Sequence, residues 1–173
     1  MKELKLINPE GVSEEEVKGY DVREAARAVV FDNEGRVALL HVAKDEYYKL
    51  PGGGLDSGED PVTALRRECQ EEIGCDVEVI KEIGVITEYR KMFNLKQISY
   101  CYLANVKGEK RPPKFTEKET TQGFAPTWLS YEDAQRAVAG SAARSYEGKM
   151  YITPRDVMIL AEANVFFKNR MVG

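Results

Sequence analysis

The sequence of 173 residues predicts an α/β (α+β) fold in which helices pack on a mixed β-sheet. Segments rich in β-branched and aromatic residues alternate along the chain with segments that begin and end at helix-capping residues. One pair of predicted strands is separated by a short turn, which indicates a β-hairpin within the sheet. With 43% hydrophobic and 31% charged residues, the composition is typical of a globular protein, and we expect residues 1–173 to form one domain.

Strands dominate the first part of the chain, after an N-terminal extension of about residues 1–20. Gly35 can adopt the left-handed conformation that the hairpin turn Asn33-Glu34-Gly35 requires. The run Pro51-Gly52-Gly53-Gly54 predicts a loop, because proline followed by glycines interrupts regular structure. The strands predicted here are at residues 4–7, 26–32 and 36–42.

Helices are predicted from their end signals. Asp60 can cap a helix, Pro61 suits its first position, and Gly74 can end it, which predicts a helix over Pro61–Ile73. Ser130 and Gly140 bound a second helix in the same way. The other expected elements are strands at 77–80, 85–89, 97–106 and 125–129, a long loop at 108–123, and a C-terminal helix at about 153–168.

Charge and cysteine content exclude several classes of protein. The net charge of −4 makes a nucleic acid polymer a poor partner, since phosphate attraction requires a basic surface. No apolar run approaches a membrane span and no secretory signal is visible, so we expect no membrane partner and a cytoplasmic location. The odd number of cysteines, without a C-x-x-C pair, argues against a disulfide framework, and Cys69 and Cys75 are expected to be free thiols.

An acidic cluster lies on the helix that follows the glycine run. Glu68, Glu71 and Glu72 are spaced so that one helix face carries all three, beside an apolar stripe that can be buried. Their mutual repulsion indicates a neutralising partner, and divalent cations prefer such oxygen ligands. An acidic cluster next to a glycine run therefore suggests chemistry on phosphates. Taken alone, the glutamates could equally form a solvated surface, and the glycines an ordinary flexible loop.

Seven residues together form a more specific pattern, G-x5-E-x7-R-E-U-x-E-E-x-G-U, where U is a bulky apolar residue. Cys69 and Cys75 occupy the two U positions and can pack there as small hydrophobic residues. The pattern resembles the signature of the Nudix hydrolase family, and it covers residues 53–75. The fixed positions are filled by Gly53, Glu59, Arg67, Glu68, Glu71, Glu72 and Gly74.

The resemblance implies an α/β/α sandwich and Mg²⁺-dependent hydrolysis, with Mn²⁺ also possible, of a phosphoanhydride bond in a nucleoside diphosphate linked to another group. Glu68 and Glu72 resemble the main metal ligands, and the carbonyl of Gly52 resembles a backbone ligand. Glu71 resembles a third acid that binds metal or polarises the nucleophile.

Four further positions of the pattern resemble support for this site. Glu59 and Arg67 look like a pair that ties the loop to the helix, and Arg67 is also counted among the catalytic candidates. Gly53 and Gly74 resemble supports at the loop and at the helix end.

Residues outside the pattern are candidates with open alternatives. Glu119, or less favourably Glu117, could be a general base, or either could belong to a charged surface loop. Arg27 could grip a phosphate or form a salt bridge at a strand edge. Tyr89, like Tyr48, Phe93 and Phe124, could stack on a base or simply pack. His41 is expected to be structural.

The substrate is less defined than the reaction. A small chain with this pattern resembles MutT-like nucleoside triphosphate pyrophosphatases, whereas the absence of proline from residues 76–100 disfavours the ADP-ribose subgroup. We therefore expect a small-molecule nucleotide as substrate and either a monomer or a homodimer. The alternative is a non-catalytic nucleotide-sensing module on the same fold.

Overall fold

A mixed sheet with helices on both faces is the centre of the computed structural model, which describes residues 1–171. The strands are β1 (Glu3–Ile7), β2 (Asp21–Phe31), β3 (Val37–Val42), β4 (Tyr47–Lys49), β5 (Gly52–Gly54), β6 (Asp76–Arg90), β7 (Leu95–Lys107) and β8 (Phe124–Leu129). The α-helices are α1 (Glu14–Val17), α2 (Pro61–Ile73), α3 (Glu117–Gln122), α4 (Tyr131–Ala139) and α5 (Thr153–Met171).

The sheet is mixed, as predicted. Its main strand order is β1-β6-β7-β2-β3-β4, while β5 pairs with β2 and β8 pairs with β3. The pairs β1–β6 and β2–β7 are parallel, and the hairpin of β2 and β3 is antiparallel. The N-terminal extension is part of this sheet, because β1 forms its edge beside β6.

Two apolar cores lie on opposite faces of the sheet. Alternate residues of β2 separate them, since Ala28 and Val30 face one core and Val29 and Phe31 face the other. Helix α2 covers the first core, and α4 and α5 cover the second. This three-layer arrangement confirms the predicted fold class.

Several predicted boundaries are wrong. The glycines at 52–54 form strand β5 rather than a loop, because they pair with residues 25–27 of β2. The strands predicted at 77–80 and 85–89 are one strand, β6, whose register shifts between Val79 and Lys81 and between Glu82 and Gly84.

The segment predicted as a long loop at 108–123 also contains regular structure, the short helix α3. A capping box begins it, in which Thr116 and Glu119 bond each other's backbone N–H groups. The C-terminal helix extends three residues beyond the predicted end, to Met171. The last two residues of the predicted domain, 172–173, lie outside the described residues. Within residues 1–171, no helix is both long enough and apolar enough to cross a membrane.

Candidate active site

Helix α2 has the ends that its local sequence predicts. The Asp60 side chain accepts hydrogen bonds from the backbone N–H groups of Val62 and Thr63. Gly74 ends the helix in the left-handed conformation, with φ of 66°. A Cβ atom at Gly74 would also overlap the backbone carbonyl of Arg111, so both conformation and space require glycine there. These contacts fix the two ends of the helix, and the packing of its apolar side on the sheet fixes the direction of each glutamate.

The three glutamates of α2 differ in their exposure. The Glu72 side chain is 2% exposed, that of Glu68 is 13% exposed, and that of Glu71 is 43% exposed. Glu72 therefore lies inside the protein, Glu68 at its edge, and Glu71 is partly exposed to solvent. The apolar stripe of the helix is buried as predicted at Leu65, Cys69 and Ile73.

Strand β5 brings the backbone of the glycine run against these carboxylates. A Cβ atom at Gly53 would overlap the carboxylate of Glu68, so only glycine allows this close approach. The backbone N–H of Gly52 donates a hydrogen bond of 2.7 Å to Oε2 of Glu72. The glycines therefore serve as a backbone surface that lies directly on two carboxylates.

Glu72 is held by a cation as well as by the backbone. Nζ of Lys49 lies 2.8 Å from Oε1 of Glu72, and it also lies 4.9 Å from the ring centre of Phe124. Burial raises the pKa of Glu72, while Lys49 and the Gly52 N–H act in the opposite direction without cancelling the rise. Removal of the Lys49 charge would leave a buried carboxylate without a counter-charge.

Arg67 joins the glycine strand, the preceding loop and the helix. Its Nη2 donates to the carbonyl of Gly54 and to Glu59, both at 2.9 Å, and its Nη1 donates to Glu68 at 2.8 Å. Oε2 of Glu71 lies farther away, 3.4 Å from the same Nη1. Arg67 is held by Glu59 and in turn orients the carboxylate of Glu68.

The oxygen atoms at this position suit a hard divalent cation. The carboxylates of Glu68 and Glu72 and the carbonyl of Gly52 are the donors that Mg²⁺ prefers. Across residues 1–171 no group of three or more histidine, cysteine or acidic side chains is arranged as a metal site. Lys49 and Arg67 instead neutralise the carboxylates, and Nη1 of Arg27 donates to the Gly52 carbonyl at 2.7 Å. The donor chemistry fits the metal, and binding would require Lys49 to release Glu72.

A cavity of about 270 Å³ lies beside the glycine strand. Its wall contains the acidic side chains of Glu68, Glu72, Glu119 and Glu147. It also contains the basic side chains of Arg23, Arg27, Lys49, Lys118 and Arg155. A cavity with carboxylates on part of its wall and several cations on the rest is suited to a metal-bound polyphosphate.

Arg27 lies deep in this cavity wall, at 7% exposure. Burial and the nearby charge of Arg155 lower its pKa to about 10, while Asp156, Glu88 and Glu72 oppose that change. The guanidinium remains charged at neutral pH. The salt bridge considered as an alternative for Arg27 is absent, since no carboxylate within residues 1–171 lies within ion-pair distance of it.

The two candidate bases on the segment after β7 occupy different positions. Glu119 lines the cavity, and its Oε2 accepts a hydrogen bond from the backbone N–H of Thr116. Glu117, at the start of the same helix, is not among the residues that line the cavity. The structure thus brings Glu119, but not Glu117, to the carboxylates of α2.

The aromatic candidates are scattered. Tyr89 packs with Val12 and Val17 in a small separate cluster, and its hydroxyl donates to Glu14, so it lies apart from the cavity. The ring of Tyr48 is tilted by 31° against that of His41, at 4.8 Å between ring centres. Phe93 is 45% exposed on a turn after β6, and Phe124 alone of the four aromatic candidates lines the cavity.

Among the five basic residues of the cavity wall, sequence reasoning named Arg27 and missed Arg23, Lys49, Lys118 and Arg155. Lys49 lies three residues before Gly52, so its position along the chain was a signal that could have been used. Arg155 lies in the Thr153-Pro154-Arg155-Asp156 segment, which predicts only the start of a helix. A hydrogen bond of 2.8 Å from the Leu50 N–H to Asp156 places this distant segment beside the glycine strand.

Comparisons with known proteins identify the family. The family model described as the NUDIX domain matches residues 21–148. A MutT-like protein of Streptomyces ambofaciens is 26% identical over 138 residues, which cover 72% of this chain and 83% of the relative. An RNA pyrophosphohydrolase of Bartonella bacilliformis is 34% identical over 76 residues, which cover 38% of this chain and 45% of the relative. The chain thus matches less than half the length of that second relative.

Solved structures show the same fold. A NUDIX hydrolase from Nitrosomonas europaea superimposes with a TM-score of 0.62 at 17% identity, over 84% of this chain and 90% of that one. A MutT protein from Methanosarcina mazei superimposes with a TM-score of 0.55 at 16% identity, over 84% and 96% of the two chains. The family model covers well over half of the sequence, and three residues of the family pattern, Gly53, Glu68 and Glu72, line one cavity. The chain therefore belongs to the Nudix hydrolase family.

Proposed function

We propose that this chain hydrolyses a phosphoanhydride bond in a small nucleotide, with a nucleoside triphosphate or a related nucleotide as substrate and Mg²⁺ as the cofactor. Nudix hydrolases generally use divalent metal ions. The observation that carries the proposal is the placement of Glu68 and Glu72 against the glycine strand, in a cavity that also presents five basic side chains. Carboxylates recruit the cation, and the basic side chains attract the phosphates.

Glu68, Glu72, the Gly52 carbonyl and the more exposed Glu71 would hold the metal. When bound, a divalent ion neutralises the phosphate oxygens and lowers the pKa of a coordinated water. The role of Arg67 is to orient Glu68, to which it donates at 2.8 Å. Lys49, once separated from Glu72, stays close enough to the same wall to contact a phosphate oxygen.

The reaction we propose is direct attack of water on phosphorus. The water oxygen forms a bond to phosphorus while the bridging phosphorus–oxygen bond breaks, and no covalent enzyme intermediate is formed. Glu119 accepts the proton from water, since it lines the cavity and the carboxylate of Glu71 does not. The leaving phosphate takes the negative charge, which the basic side chains of the cavity stabilise.

The volume of the cavity and the net charge of the protein support a small nucleotide, rather than a nucleic acid polymer, as the substrate. The cavity, at about 270 Å³, is just below the range of sites that enclose a drug-sized ligand, so it suits the phosphates of one nucleotide. The net charge of −4 does not favour a long polyanion. A cytoplasmic location and a monomeric or homodimeric state complete the proposal, and the three free, buried cysteines support a reducing compartment.

A substrate screen tests the proposal. The protein is incubated with Mg²⁺ and a panel of nucleoside triphosphates, nucleotide sugars, ADP-ribose, dinucleoside polyphosphates and a 5′-triphosphorylated RNA, and products are identified by mass spectrometry. We expect turnover of nucleoside triphosphates that EDTA abolishes. Tight nucleotide binding without hydrolysis of any compound would instead establish a nucleotide-sensing module.

A further inference from the structure

Four buried side-chain nitrogen or oxygen atoms among residues 1–167 lack a hydrogen-bond partner: Arg27 Nε, Gln97 Nε2, Ser99 Oγ and Thr153 Oγ1. A buried donor without a partner is unfavourable, so such atoms usually meet a ligand or a water molecule. All four can donate a hydrogen bond, which suits an acceptor-rich ligand.

Three of these atoms belong to the adjacent strands β2 and β7, and the fourth belongs to the start of α5. In the parallel pairing of β2 and β7, Gln97 lies opposite Arg23 and Ser99 lies opposite Ala25. Thr153 is the first residue of α5 and lies two residues before Arg155. Both Arg27 and Arg155 line the cavity beside the glycine strand.

Arg27 is a buried cation without a carboxylate partner. Its Nη1 donates to the Gly52 carbonyl, its Nε is unpartnered, and it forms no salt bridge within the described part of the chain. Burial of an unpaired charge is unfavourable. Arg155 adds a second guanidinium group to the wall of the same cavity. An anion in the cavity would pair with the charge of Arg27 and accept a hydrogen bond from its unpartnered Nε.

Arg155 is oriented by buried carboxylates. Its Nε donates to Asp156 at 2.8 Å, and its Nη1 lies 3.3 Å from Glu88. Asp156 and Glu88 are both fully buried, and Glu88 is shared with Arg90. This network keeps the guanidinium of Arg155 in a fixed position, as a preorganised phosphate site requires.

We propose that Arg27 and Arg155 form an anion subsite that takes the end phosphate of a polyphosphate chain, beyond the bond that is held at Glu68 and Glu72. This inference rests on the proposed function and narrows its substrate class to nucleotides that end in a free phosphate. A sugar or a second nucleoside at the same place would leave the Arg27 charge buried and unpaired. Arg155 lies outside the residues matched by the family model, so the subsite depends on the C-terminal helix of this chain.

Binding of inorganic tripolyphosphate in the presence of EDTA tests the subsite without hydrolysis. Isothermal titration calorimetry compares the wild type with Arg155→Lys and Arg27→Lys, which keep the charge but remove the guanidinium fork. We expect each variant to bind about tenfold more weakly, the equivalent of one charge-assisted hydrogen bond. The matched control is Arg136→Lys on α4, where the side chain is 74% exposed, and it should bind as the wild type does.

Thermal unfolding shows whether each variant is folded, and the wild type alone provides a second test. Tripolyphosphate in EDTA must raise the unfolding temperature of the wild-type protein. Absence of binding to the wild type, or equal binding by the wild type and a folded Arg155→Lys variant, would overturn the proposal.

Substrate preference separates this proposal from the proposed function. Arg155→Lys should lower kcat/KM about tenfold more for a nucleoside triphosphate than for a nucleoside diphosphate sugar. An equal loss for both substrates would overturn the subsite. A 5′-triphosphorylated RNA ends in the same phosphate, so its turnover beside that of a nucleoside triphosphate identifies the source. If the protein hydrolyses nothing but binds tripolyphosphate through Arg155, the subsite holds and the proposed function fails.

Discussion

The ammonium of Lys49 lies 2.8 Å from the carboxylate of Glu72, and their side chains are only 12% and 2% exposed. A buried pair of this kind is strongly destabilised when one partner alone is removed. Lys49 also occupies one of the carboxylates proposed to bind metal. The relationship therefore connects the stability of the protein to its metal binding.

Lys49→Met should destabilise the protein by about 2–4 kcal/mol in EDTA, because Glu72 stays buried without a counter-charge. Mg²⁺ should restore much of that loss, so the cation should raise the unfolding temperature of Lys49→Met more than that of the wild type. Thermal unfolding with Mg²⁺ and with EDTA measures both effects. Lys18→Met, which removes a pair with Glu15 whose side chains are 70% and 84% exposed, is the control. Equal unfolding temperatures for Lys49→Met and the wild type in EDTA would refute this prediction.

Gly53→Ala should lower kcat/KM by about 100-fold, because its Cβ would displace the Glu68 carboxylate from the glycine strand. Gly19→Ala is the matched control, since the added Cβ would lie at an ordinary 3.7 Å from the carbonyl of Glu16. Steady-state kinetics on both variants, after circular dichroism confirms their folding, measures the effect. Wild-type kinetics in Gly53→Ala would show that Glu68 has no role in the reaction.

The stability of the protein should depend on pH through Asp32, which does not line the cavity. Burial alone would raise its pKa, but the hydrogen bonds from Lys110 and from the backbone and side chain of Arg36 lower it to about 2. The pKa is below that of the unfolded chain, so the contribution is present above about pH 4 and is lost as pH falls towards 2.

Asp32→Asn should therefore lower the free energy of unfolding by about 1–2 kcal/mol at pH 7, and by much less near pH 2. Urea unfolding at several pH values measures the difference between variant and wild type. The exposed Asp21→Asn serves as control. A difference for Asp32→Asn that stays constant down to pH 2 would contradict the assignment.

The cysteines should be unreactive in the native protein. Cys69, Cys75 and Cys101 are buried and free, and burial raises the pKa of Cys101 to about 12. Ellman's reagent should label none of them quickly at neutral pH, and all three after unfolding in guanidinium chloride. Rapid labelling of any native thiol would show that its core is more open than the structure indicates.

Residues at the ends of α2 predicted the part of the site that lies on this helix. Asp60, Pro61 and Gly74 act on their immediate neighbours, so the bounds of α2 and the shared face of its glutamates could be read from sequence. The different exposure of Glu71 and Glu72 could not, because it depends on how the helix packs on the sheet.

Long-range contacts account for what was missed. Glycine has a low intrinsic preference for strands, and only pairing with residues 25–27 makes 52–54 a strand. Arg155 reaches the cavity because Asp156 accepts a hydrogen bond from the N–H of Leu50, a residue 106 positions earlier. Tyr89, which lies near the family pattern in sequence, packs instead against the N-terminal segment. No periodicity or spacing in the sequence encodes these contacts.

Mg²⁺-dependent hydrolysis of nucleoside triphosphates by Glu72→Gln is the most direct test of the proposed metal site. Glutamine keeps the shape of the side chain and can still contact the Gly52 N–H, but it lacks the charge that would hold a cation. Glu132→Gln, at an exposed position on α4, is the matched control. We expect a loss of at least about 1,000-fold in kcat for Glu72→Gln, with the protein still folded and the control fully active. Unchanged turnover by a folded Glu72→Gln variant would contradict the assignment of Glu72 to the metal site.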